Sequence, residues 1–210
     1  MDKSQTAVEV FNKRAKEYQD KFMNVDLYSA TFDLFCKCIT EKNADILEIA
    51  CGPGNITSYL LKKRPDFKIL ATDLSVKMLE LAKINNPGAT FKIMDCRKIN
   101  QFVQKYDGIV CGFGLPYLSK QEAKNLITDA SHLLKPKGLL YLSTMEDDNE
   151  KSGIVLSSYG DKAFINYHQA DYLTSYLEEN NFKIIDLQRK DFTGSDGKKG
   201  TDLILIAEIR

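Results

Sequence analysis

The chain has no net charge: over 210 residues, 29 lysines and arginines cancel 29 aspartates and glutamates. A neutral surface has no general attraction for a phosphate backbone or an anionic bilayer, so nucleic acid is not expected as a partner. Long apolar runs are also missing. No stretch approaches the roughly 18 residues that cross a membrane, and residues 1–5 are polar and carry no export signal, so no membrane association is expected. Histidines number two and cysteines five, an odd count. The C-x-C pair Cys36 and Cys38 would point to different sides of a helix, and no histidine or second cysteine pair accompanies it. A metal site is therefore not expected, and a reduced, cytoplasmic setting is the simplest reading, with Cys36, Cys51, Cys96 and Cys111 in segments of buried character. What is present is an ordinary globular composition, 43% hydrophobic and 28% charged. It suits one large domain, or one domain with a cap.

Hydrophobic spacing divides the chain in two. Apolar residues at Val8, Phe11, Ala15 and Tyr18, then at Leu27, Phe32, Phe35 and Ile39, predict helices over about 4–20 and 27–41. Residues 1–44 thus read as an N-terminal helical cap. From position 45 strands and helices alternate: strands at 45–50, 68–73, 90–94, 106–112 and 138–145, and helices at 55–64, 75–85 and 120–134. Alternation of this kind requires an α/β fold with a mostly parallel sheet and helices on both faces. Pro136-Lys137-Gly138 reads as a helix stop before the fifth strand. After a helix at 169–180, strands at 182–191 and 201–209 follow without a helix between them, so they form a hairpin, closed by a polar loop at 194–200. Residues 146–168 are an insertion on the substrate side of the main domain, 45–210.

The most informative segment is Ile46-Leu-Glu48-Ile-Ala50-Cys51-Gly52-Pro-Gly54, a buried-strand pattern running into a glycine turn, with Asp73 at the end of the next strand. Glycines at a strand end let backbone N–H groups approach a ligand, and a carboxylate about 20 residues on can hold both hydroxyls of a ribose. A nucleoside-containing cofactor is implied. A dinucleotide fingerprint would need glycine at position 57, where Thr57 stands.

Seven strands ending in an antiparallel hairpin, the glycine turn and Asp73 together resemble the class I S-adenosylmethionine-dependent methyltransferases, over about residues 45–210. Among these the chain is similar to the ubiquinone/menaquinone methyltransferase-like group, whose opening F-x-x-x-A-x-x-Y segment is matched by Phe11, Ala15 and Tyr18. The resemblance implies a Rossmann-like seven-stranded sheet and S-adenosyl-L-methionine as cofactor. Glu48 to Gly54 meets the family's E/D-x-G-x-G-x-G motif with Ala50 in place of the first glycine, a mild departure if the strand is still extended there. By resemblance, Ala50, Cys51, Gly52 and Gly54 would run along the methionyl part and Glu48 would lie near its ammonium. Asp73 would take the ribose hydroxyls, Leu74 and Met78 would pack on the adenosine, and Asp95 with the Cys96 N–H would meet the adenine. Gly112 would border the site after the fourth strand, and Tyr18 would face the methionyl end. As structural readings of the same residues, Asp73 and Asp95 would simply start the helices that follow them, and Phe11, Ala15 and Tyr18 would be one face of a packed helix.

The acceptor side is less defined. Direct displacement at the sulfonium methyl requires alignment and dryness, and a base only if the acceptor must lose a proton. Leu115-Pro116-Tyr117 is superficially similar to the N/D-P-P-Y motif of amino-group methylases but lacks the polar first residue. Where many small-molecule methyltransferases place a histidine before the leucine, this chain has Tyr117. Tyr117 suits an acceptor pocket or packing over the sheet edge. His168 suits a general base or a surface position at helix entry, and His132 suits a helix C-terminus. Tyr159, Phe164 and Tyr167 suit an apolar substrate wall or a satellite core. The expected activity is methyl transfer to a small-molecule acceptor, by a monomer or homodimer with Tyr117 and His168 as candidate catalytic residues. The alternative is a catalytically inactive S-adenosylmethionine-binding regulatory or scaffolding protein.

Overall fold

The computed structural model describes residues 3–157, 159–193, 197 and 199–210. Positions 1–2 of the polar N-terminal stretch, and Gly194, Ser195, Asp196 and Lys198 of the expected hairpin loop, lie outside the described residues. In chain order the elements are α1 (Lys3–Lys13), α2 (Ala15–Phe22), α3 (Ser29–Cys38), β1 (Asp45–Ile49), α4 (Asn55–Lys63), β2 (Lys68–Asp73), α5 (Val76–Asn85) and β3 (Thr90–Ile93). They continue with β4 (Tyr106–Gly112), α6 (Lys120–Leu133), β5 (Leu134–Glu146), β6 (Gly153–Leu156), β7 (Lys162–Ile165), α7 (Ala170–Glu179), β8 (Phe182–Thr193) and β9 (Lys199–Ile209).

The strands form a seven-stranded sheet in the order β3-β2-β1-β4-β5-β9-β8. Neighbours from β3 to β5 are parallel, and β9 runs antiparallel to both β5 and β8. Successive residues of a strand point to opposite faces, so a sheet covered on both sides needs apolar residues at odd and even positions alike. Leu47, Ile49, Ile109, Leu140 and Leu205 pack with Leu126 of α6 and Leu173 of α7 on one face. Their neighbours Ile46, Val110, Tyr141 and Ile204 pack with Phe35 of α3, Leu60 of α4 and Leu79 of α5 on the other. The chain travels outward from β1 to β3 and then returns to β4 on the opposite side of β1. That reversal opens a crevice at the carboxyl ends of β1 and β4, where open α/β sheets bind ligands.

Four local features differ from the sequence expectations. The first helix is kinked at Arg14 (φ −114°, ψ 19°), although the Arg14 N–H still reaches Val10 O at 2.9 Å and the Tyr18 N–H reaches Arg14 O at 2.8 Å. The second, α3, is not a cap helix: Phe32 lies against Tyr141 with ring centroids 5.1 Å apart, so α3 packs on the sheet. β5 begins directly after α6, before the expected Pro136-Lys137-Gly138 stop. The register with β4 shifts between Tyr106 and Gly108, and Lys137 takes a positive φ of 64° within this irregular start. Finally, the 146–168 insertion contains an antiparallel hairpin of its own, β6 with β7.

The hairpin and α1–α2 meet above the carboxyl ends of β1 and β2. Lys13 Nζ and Arg14 Nε donate to the Asp161 carboxylate at 2.6 and 2.8 Å, and the Arg14 guanidinium stacks 5.0 Å over Tyr159. On the other side, Ser75 Oγ donates to Asn12 Oδ1 at 2.8 Å, and Asn85 Nδ2 donates to Gln19 Oε1 at 2.8 Å.

Candidate active site

The turn after β1 is built from backbone conformations that L-residues avoid. Ala50 has φ 55°, Gly52 φ 54° and Gly54 φ 80°. The expectation that the chain is still extended at Ala50 is therefore wrong: the left-handed turn begins one residue after β1, and a Cβ there costs about 1 kcal/mol. Ala50 and Gly52 both line a cavity above the strand ends. Gly54 serves packing instead, because a Cβ at that position would stand 2.4 Å from Asn86 Nδ2 and 3.3 Å from the Ala82 Cβ of α5.

Glu48 is 1% exposed and points to the α4 face of the sheet, as its parity with Ile46 requires. Thr57 Oγ1 donates to its Oε2 at 2.5 Å, while Oε1 has no hydrogen-bond partner among the described residues. Burial pushes its carboxyl up to about 8, against the hydrogen bonds from Thr57.

Asp73 ends β2 with both oxygens engaged: Gly52 N–H donates to Oδ2 at 2.9 Å and Ser75 N–H to Oδ1 at 2.8 Å. It thus ties the first turn to the start of α5, and burial raises it above the usual carboxylate range despite those N–H bonds. Ser75 is the residue that caps α5, its side chain accepting from the Met78 N–H. Beyond β3, Asp95 accepts from the Arg97 N–H at 2.9 Å and pairs with its guanidinium at 2.7 Å. Burial opposes its ionisation, but the hydrogen bonds and charge of Arg97 outweigh it and lower its pKa.

Three rings roof these groups. Phe11 sits between Tyr18 and Tyr117, edge-on to both, with centroids 5.6 and 5.1 Å apart. Tyr117 stands on a short turn held from the insertion, where the Asn166 N–H and side chain both donate to Pro116 O, at 2.8 and 3.1 Å. Burial pushes Tyr18 up to about 12, with a contribution from Asp73, and raises Tyr117 further still.

The cavity brings together Tyr18, Ala50, Gly52, Asp73, Leu74, Met78, Asp95, Cys96, Gly112 and Tyr117 of the residues expected from the sequence. Glu48, Cys51, Gly54 and His168 do not line it. Cys51 is buried, its N–H donating to Thr72 O at 2.9 Å. His168 lies neither at the surface nor in the cavity. It is fully buried, with Nε2 2.9 Å from Leu115 O and Nδ1 against the Tyr172 hydroxyl. The Leu115 carbonyl can only accept, so Nε2 carries the proton and Nδ1 accepts from Tyr172. Both ring nitrogens are used, and burial lowers its basicity.

The sequence reading missed Ala7, Val8, Met94 and Arg97 on the cavity wall. Ala7, Val8 and Phe11 share one helical face, which was a usable signal. Arg97 carried one too, two residues after an acid that needed a partner.

Residues 46–138 match the sequence profile of a methyltransferase domain. A demethylmenaquinone methyltransferase from Thermotoga maritima is 25% identical over 158 residues, covering 73% of this chain and 68% of that protein. Residues 46–138 are thus a methyltransferase domain, and the sequence and structural likenesses together support a class I S-adenosylmethionine-dependent methyltransferase. A trans-aconitate 2-methyltransferase from an Enterobacter species is 30% identical over 126 residues, 59% of this chain and 48% of that protein. The chain thus spans from about half to two thirds of the length of these methyltransferases. Among solved structures, the magnesium protoporphyrin IX methyltransferase of Synechocystis PCC 6803 with bound S-adenosylmethionine superposes with a TM-score of 0.73 at 18% identity, covering 100% of this chain and 98% of that one. That likeness is one of fold.

The lining chemistry fits the family's cofactor. Asp73 offers a carboxylate for a diol, Leu74 and Met78 offer an apolar bed for a base, and Phe11, Tyr18 and Tyr117 offer aromatic rings, whose faces favour a sulfonium cation over a neutral group.

Proposed function

We propose that this chain transfers a methyl group from S-adenosylmethionine to a small-molecule acceptor by direct displacement. The observation that carries the reading is convergence: the Ala50–Gly52 turn, Asp73 and Asp95 come from three strand ends and line one cavity beneath three aromatic rings. The cofactor, when bound, supplies a methyl group already activated on a positively charged sulfur. Asp73 would hold the ribose, Asp95 and the Cys96 N–H the adenine, and the Ala50–Gly52 backbone the methionyl end. Phe11, Tyr18 and Tyr117 would exclude water and favour the cation. Small acceptors are supported by the relatives named above, which act on a quinone precursor and a tricarboxylate. Free cysteines throughout fit a reducing cytoplasm.

Residues α1–α2 serve as the lid in this reading. As closed, the cavity volume is about 100 Å³, below the roughly 300 Å³ at which small-ligand sites begin. An outward swing of α1–α2 would enlarge it to admit a nucleoside.

Titration calorimetry with S-adenosylhomocysteine tests the proposal. The protein binds it one to one, and Asp73→Ala weakens binding by roughly 100-fold, about 3 kcal/mol, through loss of charge-assisted hydrogen bonds. No binding, or equal binding by the variant, would remove the basis of the proposal.

A further inference from the structure

A second cavity lies on the other side of the Phe11–Tyr18–Tyr117 partition, between α1–α2 and the β6–β7 hairpin. Its volume is about 260 Å³, a little below the roughly 300 Å³ at which ligand sites typically begin. Its walls are apolar, with Val10, Phe22, Val155, Tyr159, Ala163 and Ile165 facing the same space. Its rim is charged, carrying Arg14, Lys21 and Glu17. Phe11, Tyr18 and Tyr117 border both cavities, and because Phe11 and Tyr18 ride on α1–α2, the outward movement that admits the cofactor also opens a way between the two spaces.

The two cavities also share a chemical gap. Among the described residues that line them, the carboxylates are Asp73, Asp95 and Glu17. Asp73 is held by two backbone N–H groups, Asp95 by Arg97, and Glu17 by Arg14 at 3.0 Å. Neither histidine lines either space. The two tyrosine hydroxyls stay protonated at neutral pH, because burial opposes a phenolate. Among the described lining residues, none is set up to take a proton from an acceptor of high pKa.

We infer that the second cavity is the acceptor chamber, and that it takes a ring-sized apolar molecule whose attacking atom arrives as an anion, such as an aryl thiolate, an aryl carboxylate or an acidic phenolate. This rests on the methyltransferase reading and narrows it. The anion's lone pair forms the bond to the methyl carbon as the carbon–sulfur bond breaks. That bond's electron pair returns to sulfur, so the anion and the sulfonium charge cancel and no proton moves. The apolar walls exclude water from this step, which strengthens the attraction between the two charges. At the mouth, Arg14 is paired with Glu17 and Asp161, which leaves the Lys21 ammonium to favour entry of an anion.

The experiment measures S-adenosylhomocysteine formation by the full chain with thiophenol, phenylacetate and 4-nitrophenol, against benzylamine and benzyl alcohol as probes of similar size. Calorimetric binding of S-adenosylhomocysteine is followed in parallel. At least one anionic probe is expected to turn over ten times or more faster than both neutral-oxygen and amine probes, with a rate that follows the probe's own ionisation. Ala163→Trp, which fills the chamber, is expected to lower kcat/KM at least tenfold and leave S-adenosylhomocysteine binding unchanged; Val155→Trp repeats the test from the opposite strand. Faster turnover of benzyl alcohol or benzylamine, no turnover of any probe, or full activity in both tryptophan variants would overturn the inference while binding stands. Loss of binding in the wild type would instead bring down the methyltransferase reading beneath it.

Discussion

Below the cavity proposed for the cofactor, Ile46, Leu47 and Ile49 of β1 have no exposed surface, whereas above it Ile154, Leu156 and Tyr159 are 69, 63 and 52% exposed. The two regions are held by different forces. The floor is fixed by burial of complete aliphatic side chains, each contributing about 2 kcal/mol, and by Asp73, which links the β1 turn to α5 through N–H bonds. The roof is held by one small ring cluster, Phe11 with Tyr18 and Tyr117, and by polar ties such as Asp161 to Lys13 and Arg14. Ion pairs near a surface contribute little to stability. A floor that does not move presents fixed groups to the ligand, and a roof with weak ties can open to admit it.

The largest test of this contrast strikes the floor. Gly54→Val introduces a branched side chain at φ 80° where Asn86 Nδ2 would lie 2.4 Å from the new Cβ. It should destabilise the protein by about 3 kcal/mol or more, read as a lowered urea midpoint with an unchanged m-value. A loss under about 1 kcal/mol would mean that the floor is softer than its packing indicates.

Glu48 probes the same region through pH. Its buried carboxyl keeps its proton to about pH 8 in the folded state, while in the unfolded chain it ionises near 4.3. The folded state therefore holds this contribution fully below the unfolded value and loses it progressively as pH rises toward about 8. Glu48→Gln cannot ionise and keeps an acceptor for Thr57. Its Tm relative to wild type should rise by about 5 °C between pH 5 and pH 8, and a constant difference across that range would show that Glu48 is not buried as a neutral acid.

The smallest effect on stability belongs to the roof. Asp161→Ala removes the partner of Lys13 and Arg14 and should leave the urea midpoint nearly unchanged, while S-adenosylhomocysteine dissociates several-fold faster in stopped flow. A large stability loss with unchanged dissociation would reverse the assignment of floor and roof.

The floor was legible in the sequence and much of the roof was not, for the same physical reason. Complete burial on two faces writes short apolar runs without alternation into β1, β4 and β9, and a strand end that needs a glycine and an acid shows both, at Gly52 and Asp73. The turn at Ala50 was misread because a single left-handed residue leaves no pattern when alanine occupies it. The β6–β7 hairpin was missed because its runs, Ile154-Val155-Leu156 and Ala163-Phe164-Ile165, are short and not alternating, and the first is exposed. His168 has a chemistry that invites a catalytic reading. Only the fold shows that its two nitrogens are spent on Leu115 and Tyr172.

Hydrogen exchange with and without S-adenosylhomocysteine tests the central contrast most directly. Amides of β1 and β4 should be slow to exchange in both states, while those of α1, α2 and the β6–β7 hairpin should exchange quickly without the ligand and be protected at least tenfold with it. Protection of α1 and α2 that is already as high as that of β1 before ligand is added, or that does not change on binding, would contradict a fixed floor beneath an opening roof.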